Sequence, residues 1–239
     1  MEIEFFSIGD DPWQSEEFQE DMRKIFMKDG RLDTKGGVTN GPKLSNLDSI
    51  FRKAFLISSM AEVSKSPFFI ETGTYLAETL MAVSPCFLYN WSVEGDETCY
   101  AWACSRTQWP VRKNVKILLG DSPDELPKIL SEVDNHPHPN KKCIFFLDAH
   151  YSGAIDSQNP EWKTYSSKKY SHCPLLEEID KIKKHQVKDH IIMIDDVRML
   201  SKPGWPSIEQ LLEALRGVNT KYQFKYCVEL DILIAGVFK

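Results

Sequence analysis

The run Phe69-Ile70-Glu71-Thr72-Gly73-Thr74-Tyr75 is the first place where residue types and order suggest chemistry, because an apolar strand enters a glycine turn and leaves as a helix. Glycine lets the chain turn tightly and lets a cofactor approach the backbone itself. A single glycine is a weak signal, since dinucleotide fingerprints carry three. Glu94 strengthens it. This acid closes the next apolar run, in Trp91-Ser92-Val93-Glu94-Gly95-Asp96, 21 residues after Gly73, where a carboxylate can hold both hydroxyls of a ribose. Leu119-Gly120-Asp121-Ser122 follows a third run, and its polar groups suit either an adenine edge or the cap of the helix beginning near Pro123. Each cluster alone has an ordinary structural explanation. Three of them at the ends of three successive strands predict a site for a nucleotide-like cofactor.

The elements that position these residues follow from the periodicity. From Pro67 onward, short apolar runs alternate with amphipathic helical stretches, the pattern of an α/β fold. Strands are expected at Phe68 to Glu71, Tyr89 to Glu94, Val115 to Leu119, Cys143 to Asp148, Ile191 to Asp195, Tyr222 to Glu229 and Ile232 to Phe238. Helices are expected at Tyr75 to Val83, Glu97 to Thr107, Pro123 to Val133, Leu175 to His185 and Ile208 to Leu215, with Pro174 at a first helical position and Gly217 just past a helix end. The last two strands leave no room for a helix, so they should form an antiparallel hairpin. Before Pro67 the spacing is helical, in Phe18, Met22, Ile25 and Phe26 and again in Leu47, Ile50, Phe51, Ala54 and Phe55 after a cap at Asn46. The polar stretch from Asp29 to Ser45 reads as a flexible linker, with a mobile lid as the alternative.

Composition bounds the function. At 239 residues and 42% hydrophobic content, the chain can bury one substantial core with at most a modest cap. A net charge of -6 with both signs interspersed leaves no basic stripe, so nucleic acid is not an expected partner. No apolar stretch approaches membrane-spanning length, and Met1-Glu2-Ile3-Glu4-Phe5 lacks the order of a secretory signal. A cytoplasmic protein with no membrane partner is expected. The cysteines Cys86, Cys99, Cys104, Cys143, Cys173 and Cys227 show no zinc spacing and read as reduced thiols. Asn90-Trp91-Ser92 matches a glycosylation sequon inside a run that reads as a buried strand, and is discounted.

Together, Glu71-Thr72-Gly73-Thr74-Tyr75, Glu94, Gly120-Asp121-Ser122, Leu147-Asp148-Ala149-His150 and Ile194-Asp195-Asp196 resemble class I methyltransferases. Within that superfamily the chain is most similar to metal-dependent O-methyltransferases of the catechol and macrolide-sugar kinds, over Ser66 to Lys239. Leu147 to Gly153, Cys173-Pro174-Leu175-Leu176-Glu177-Glu178 and Ile194-Asp195-Asp196-Val197-Arg198 further resemble methyltransferase domains of glycan biosynthesis, including those of large algal viruses. The resemblance implies a Rossmann-like, mostly parallel seven-stranded sheet with a C-terminal antiparallel hairpin. It implies a catalytic domain over 66–239 behind an N-terminal helical cap or lid over 1–65, and a host-cytoplasm location if viral. It implies S-adenosylmethionine as cofactor, bound by Glu71, Thr72, Gly73, Thr74, Tyr75, Glu94, Gly120, Asp121, Ser122 and Asp148. It implies Mg²⁺ or another divalent cation on Asp148, Asp195 and Asp196, which would lower the pKa of an acceptor hydroxyl. Asp148 and His150 are the expected catalytic residues, with His150 as general base because an imidazole titrates near working pH. Catechol-type enzymes place a lysine near this loop, so the histidine favours the sugar branch.

The expected acceptor is therefore a hydroxyl of a sugar or glycan, with a small phenol or catechol as the alternative. The segment Tyr151 to Cys173, polar and bearing Trp162, Tyr165 and Tyr170, suits acceptor binding. His172 is a weaker candidate and reads as structural. The N-terminal helices are open to use as a lid or as a homodimer contact. Two other readings compete. A non-catalytic nucleotide-binding module would keep the fold without needing the acids or His150. A short-chain dehydrogenase would use Ser152, Tyr165 and Lys169, whose spacing matches, but Asn159-Pro160 and a polar run stand where a long helix is needed.

Overall fold

The protein was analysed as a computed structural model that describes residues 3–6, 47–107, 113–150, 154–156, 159–163, 169–170 and 172–238. Its strands are β1 (Glu4–Phe6), β2 (Phe68–Thr72), β3 (Tyr89–Glu94), β4 (Val115–Leu119), β5 (Cys143–Leu147), β6 (Ala154–Asp156), β7 (Asn159–Lys163), β8 (Ile191–Ile194), β9 (Gln223–Cys227) and β10 (Ile232–Gly236). The helices are α1 (Leu47–Ser64), α2 (Glu78–Val83), α3 (Glu97–Thr107), α4 (Ser122–Asn135), α5 (Leu175–Lys184) and α6 (Ile208–Val218). The main sheet runs β1-β9-β10-β8-β5-β2-β3-β4. β10 is antiparallel to both of its neighbours, and the other pairings are parallel. This is the expected Rossmann-like sheet with its terminal hairpin, extended by one edge strand.

β2, β5 and β8 are buried at every position, as central strands covered on both faces must be. Side-chain alternation divides the core in two. Phe68, Ile70, Phe145, Ile192 and Ile194 pack under α4, α5 and α6, whereas Phe69, Ile144, Phe146, Ile191 and Met193 pack under α1 and α2. Asn90 and Ser92 are fully buried on β3, so the sequon is not displayed.

Several boundaries differ from the periodicity, each for a local reason. α2 starts at Glu78 rather than Tyr75, because Tyr75 and Ala77 hold left-handed backbone (φ 48 and 59) and Ala77 closes a turn onto the Thr74 carbonyl at 2.8 Å. Pro174 is the N-cap of α5 instead of its first residue. Gly217 lies inside the last turn of α6, where a Cβ would stand 3.1 Å from Lys183 Nζ, so the glycine serves a close helix approach and Asn219 caps the end. Part of the Tyr151 to Cys173 segment forms the antiparallel pair β6–β7. Glu4–Phe6 is a strand, although the N-terminal segment reads as helical; the open edge of β9 offers unpaired backbone groups that a short extended segment satisfies. The expected helix around Phe18 to Phe26, the Asn46 cap, the Asp29 to Ser45 linker, and Ser152 and Tyr165 lie outside the described residues.

Candidate active site

The glycine turn is fixed by the strands on both sides of it. Gly73 sits at φ +83, and its N–H and that of Thr74 both donate to the Val93 carbonyl, at 2.9 and 3.2 Å. A Cβ at Gly73 would lie 2.5 Å from the Asp148 carbonyl oxygen. The residue is glycine because the backbone leaving the neighbouring strand β5, at Asp148 and Ala149, lies against it, which the sequence did not reveal.

Glu94 ends β3 and is 7% exposed. Its carboxylate accepts the Tyr75 N–H at 2.7 Å and the Asp96 N–H at 2.8 Å. Burial pushes its pKa up to about 7 against the pull of those bonds. The Gly95 N–H is a third backbone donor to the carboxylate, so of its about four lone-pair sites one is left for a ribose hydroxyl. Glu71 is held inside the sheet, where the Ser92 hydroxyl donates to it at 2.6 Å and is itself 2.6 Å from the Thr74 hydroxyl. Burial raises Glu71 to about 8.

On the other face, buried Glu178 of α5 accepts the Ser122 hydroxyl and a hydrogen bond from Thr72, and burial raises it to about 8 despite them. Ser122 is thereby turned toward Glu178. The Gly120 N–H donates to the Glu94 carbonyl at 2.9 Å, tying the β4 end to the β3 end. Asp121 starts α4 through its carbonyl, which accepts Asp124 and Glu125 N–H at 2.9 and 3.1 Å, while its side chain makes no capping bond. The three sequence clusters thus converge at the carboxyl ends of β2, β3 and β4, where open α/β sheets bind ligands.

Beside them, at the ends of β5 and β8, stand the acids. His150 Nε2 lies 2.9 Å from Asp196 Oδ2 and 3.4 Å from Asp148 Oδ1. One ligand atom from each of Asp148, His150 and Asp196 falls within 4.8 Å of the others. Burial pulls the imidazole pKa down, but the hydrogen bonds and charges of the two carboxylates outweigh it and hold it at about 10. The histidine is therefore an imidazolium near neutral pH, contrary to the sequence expectation of a neutral base. Asp196 holds left-handed backbone at φ 55, and its Oδ1 is 2.6 Å from Arg198 Nη1.

Asp195 behaves differently from its neighbour. It continues the Ile191 and Met193 row of β8, the face covered by α1, and there its Oδ2 pairs with Lys53. Its Oδ1 accepts the Asp196 N–H at 3.0 Å. Asp148, His150 and Asp196 could together hold a metal, whereas Asp195, expected in a trio with Asp148 and Asp196, pairs with Lys53 at the edge of the same cleft. Asp148 and Asp196 fit a divalent cation, since hard carboxylate oxygens suit Mg²⁺ or Mn²⁺.

Two further residues were not found in the sequence. Lys53 lies on a helix that precedes the α/β pattern. The Trp205 ring lies tilted at 52° to that of His150, at 4.9 Å centroid distance, and walls a cleft that Asp148, Asp195 and Glu178 also line. An aromatic between Gly204 and Pro206, just after the acid pair, was the available signal for Trp205. His172 is exposed and packs near Gly204. Lys169 pairs with Asp124 at 2.7 Å, and the Tyr170 hydroxyl donates to the same acid at 2.6 Å. All six cysteines are free, and no described helix is long and apolar enough to cross a membrane.

No protein-family model and no curated protein matches the chain. Solved structures do. A candidate caffeoyl-CoA O-methyltransferase from Staphylococcus aureus aligns over 93% of this chain and 98% of its own, at 13% identity and a TM-score of 0.54. The O-methyltransferase TomG from Streptomyces achromogenes, solved with S-adenosylmethionine, aligns over 92% and 89% at 13% identity and a TM-score of 0.49. An O-methyltransferase from Bacillus cereus, solved with S-adenosylhomocysteine, aligns over 92% and 91% at 12% identity and a TM-score of 0.49. The S. aureus likeness is one of fold.

Proposed function

We propose that this chain, which has the class I methyltransferase fold, is an S-adenosylmethionine-dependent O-methyltransferase whose acceptor is a sugar or glycan hydroxyl. The observation that carries the reading is the adjacency of two half-sites: the Gly73, Glu94 and Gly120-Asp121-Ser122 turns on one side, and Asp148, His150 and Asp196 on the other. The first suits an adenosyl cofactor, with Glu94 on the ribose and Gly73 beneath the amino-acid portion. The second suits the activation of a hydroxyl beside the methyl donor.

In the transfer the carbon–sulfur bond breaks as the carbon–oxygen bond forms in line with it, and the hydroxyl proton must go to a base. A bound divalent cation supplies a lowered pKa at the acceptor oxygen and fixes that oxygen's position. Asp148 and Asp196 would hold it. Were a cation to share the charge of those carboxylates, they would no longer hold His150 protonated, and its Nε2 would be placed to accept the proton. Trp205 offers an apolar wall for the flat face of the acceptor ring.

The name of the S. aureus protein favours a phenolic acceptor as the second reading, and Trp205 suits a phenol equally. Incubation with S-adenosylmethionine, Mg²⁺ or Mn²⁺ and a panel of sugars, nucleotide sugars and catechols, with products weighed by mass spectrometry, tests the proposal. The expected result is one added methyl group on a sugar hydroxyl, lost on chelation and restored by the metal. Binding of the cofactor without transfer to any acceptor would favour a non-catalytic module, and transfer in chelator would remove the metal.

A further inference from the structure

Lys53 is the charge in this site that the function proposed above leaves unused. It reaches from α1 to the ends of β5 and β8, and its side chain is only 22% exposed. Its ammonium pairs with Asp195 and lies 5.8 Å from the centre of the Phe146 ring. Asp148 and Asp196 also act on it, and with Asp195 they outweigh the burial that would lower its pKa and raise it instead. A fixed positive charge therefore stands among the same carboxylates that would receive a divalent cation. Asp195 has both oxygens engaged, one by Lys53 and one by the Asp196 N–H. Three carboxylates around one divalent ion leave an excess of negative charge in a half-buried cleft, and an ammonium cancels it at close range.

We propose that Lys53 is a built-in counter-cation that takes Asp195 out of the metal-ligand set, so that Asp148 and Asp196 hold the divalent ion and Asp195 holds the lysine. The inference rests on the metal arm of the proposed function and assigns Lys53 as a positioning residue. α1 thereby becomes part of the site, because a shift of that helix would release a carboxylate beside the ion.

Isothermal titration of the full chain with Mn²⁺ tests this without reference to turnover. Asp196→Asn should weaken Mn²⁺ binding about tenfold or more, because a ligand and its charge are lost together, whereas Asp195→Asn, which removes only a neighbouring charge, should weaken it by clearly less. Lys53→Met should tighten binding by about tenfold, because it removes a like charge and frees Asp195 to coordinate. That variant leaves a buried carboxylate unpaired, so the double variant Lys53→Met/Asp195→Asn, which removes both charges, serves as the folded control and should match the wild type. Asp195→Asn weakening Mn²⁺ as much as Asp196→Asn would overturn the inference while the functional reading stands. A double variant that loses Mn²⁺ affinity would overturn it too. A wild-type chain that binds no Mn²⁺ and transfers methyl in chelator would defeat the metal arm itself, and the inference with it.

Discussion

Gly73→Ala is the most direct test of how the cofactor turn and the acid cluster are coupled. Two effects add. An alanine held at φ +83 pays about 1–2 kcal/mol for left-handed backbone. Its Cβ would also meet the Asp148 carbonyl oxygen at 2.5 Å, the Asp148 carbonyl carbon at 2.8 Å and Ala149 Cα at 3.1 Å, all backbone atoms that cannot swing aside. Forcing such a contact apart costs about 1–3 kcal/mol, so the total loss of stability should be about 2–5 kcal/mol. The strain would displace Asp148 from its 3.1 Å backbone bond to Thr72, and with it the partner of His150 and Asp196. Gly204→Ala is the control, since Gly204 has the same kind of backbone (φ +85) but its nearest neighbour would be His172 Cβ at an ordinary 3.6 Å. Urea unfolding should show the Gly73 variant losing clearly more stability than the Gly204 variant at equal slope, and calorimetry should show it losing both S-adenosylmethionine and Mn²⁺ affinity. Equal losses in the two variants would refute the argument that the Asp148–Ala149 backbone is what requires the glycine.

Glu94→Ala should weaken S-adenosylmethionine binding and also destabilise the fold by about 1–3 kcal/mol, because Tyr75 and Asp96 N–H lose their acceptor; unchanged affinity by titration calorimetry would remove Glu94 from the ribose. His150→Ala should lower turnover roughly 10²–10⁴-fold with little change in cofactor affinity, and a wild-type rate with chemistry rate-limiting would make the histidine structural. Glu178 has a folded pKa raised to about 8 from 4.5, so the stability it contributes is full below the unfolded value and is lost as pH rises toward 8, by at most about 1.4 kcal/mol per pH unit. Glu178→Gln should therefore gain stability relative to the wild type as urea melts are moved from pH 5 to pH 8; a difference that stays flat would mean that Glu178 is ionised throughout.

Most of the sheet was legible because β2, β5 and β8 are continuous apolar runs whose polar ends carry the turns. The convergence of Gly73, Glu94 and Gly120 was legible for the same reason, since parallel strands bring their carboxyl ends to one side of the sheet. Asp195 and Asp196 were read as a pair because they are neighbours in sequence. A strand sends successive side chains to opposite faces, and Asp195 follows the row under α1 while Asp196 turns to His150. Lys53 could not be read, because a lysine on an amphipathic helix normally faces solvent, and only the docking of α1 brings it to Asp195. The protonation of His150 was hidden in the same way, since its two carboxylates come from different strands.

The edge strand β1 sets an order of events in synthesis. Its partner β9 lies almost the whole chain length away, with Glu4 opposite Lys225 and Phe6 opposite Cys227. β1 must wait until β9 has been made before it can pair, and such distant contacts form slowly. The central strands and their helices can assemble while β1 is still single. β1 then closes the sheet edge as a late clasp, and a substitution that weakens its pairing with β9 would act on that final step while leaving the assembly of the centre alone.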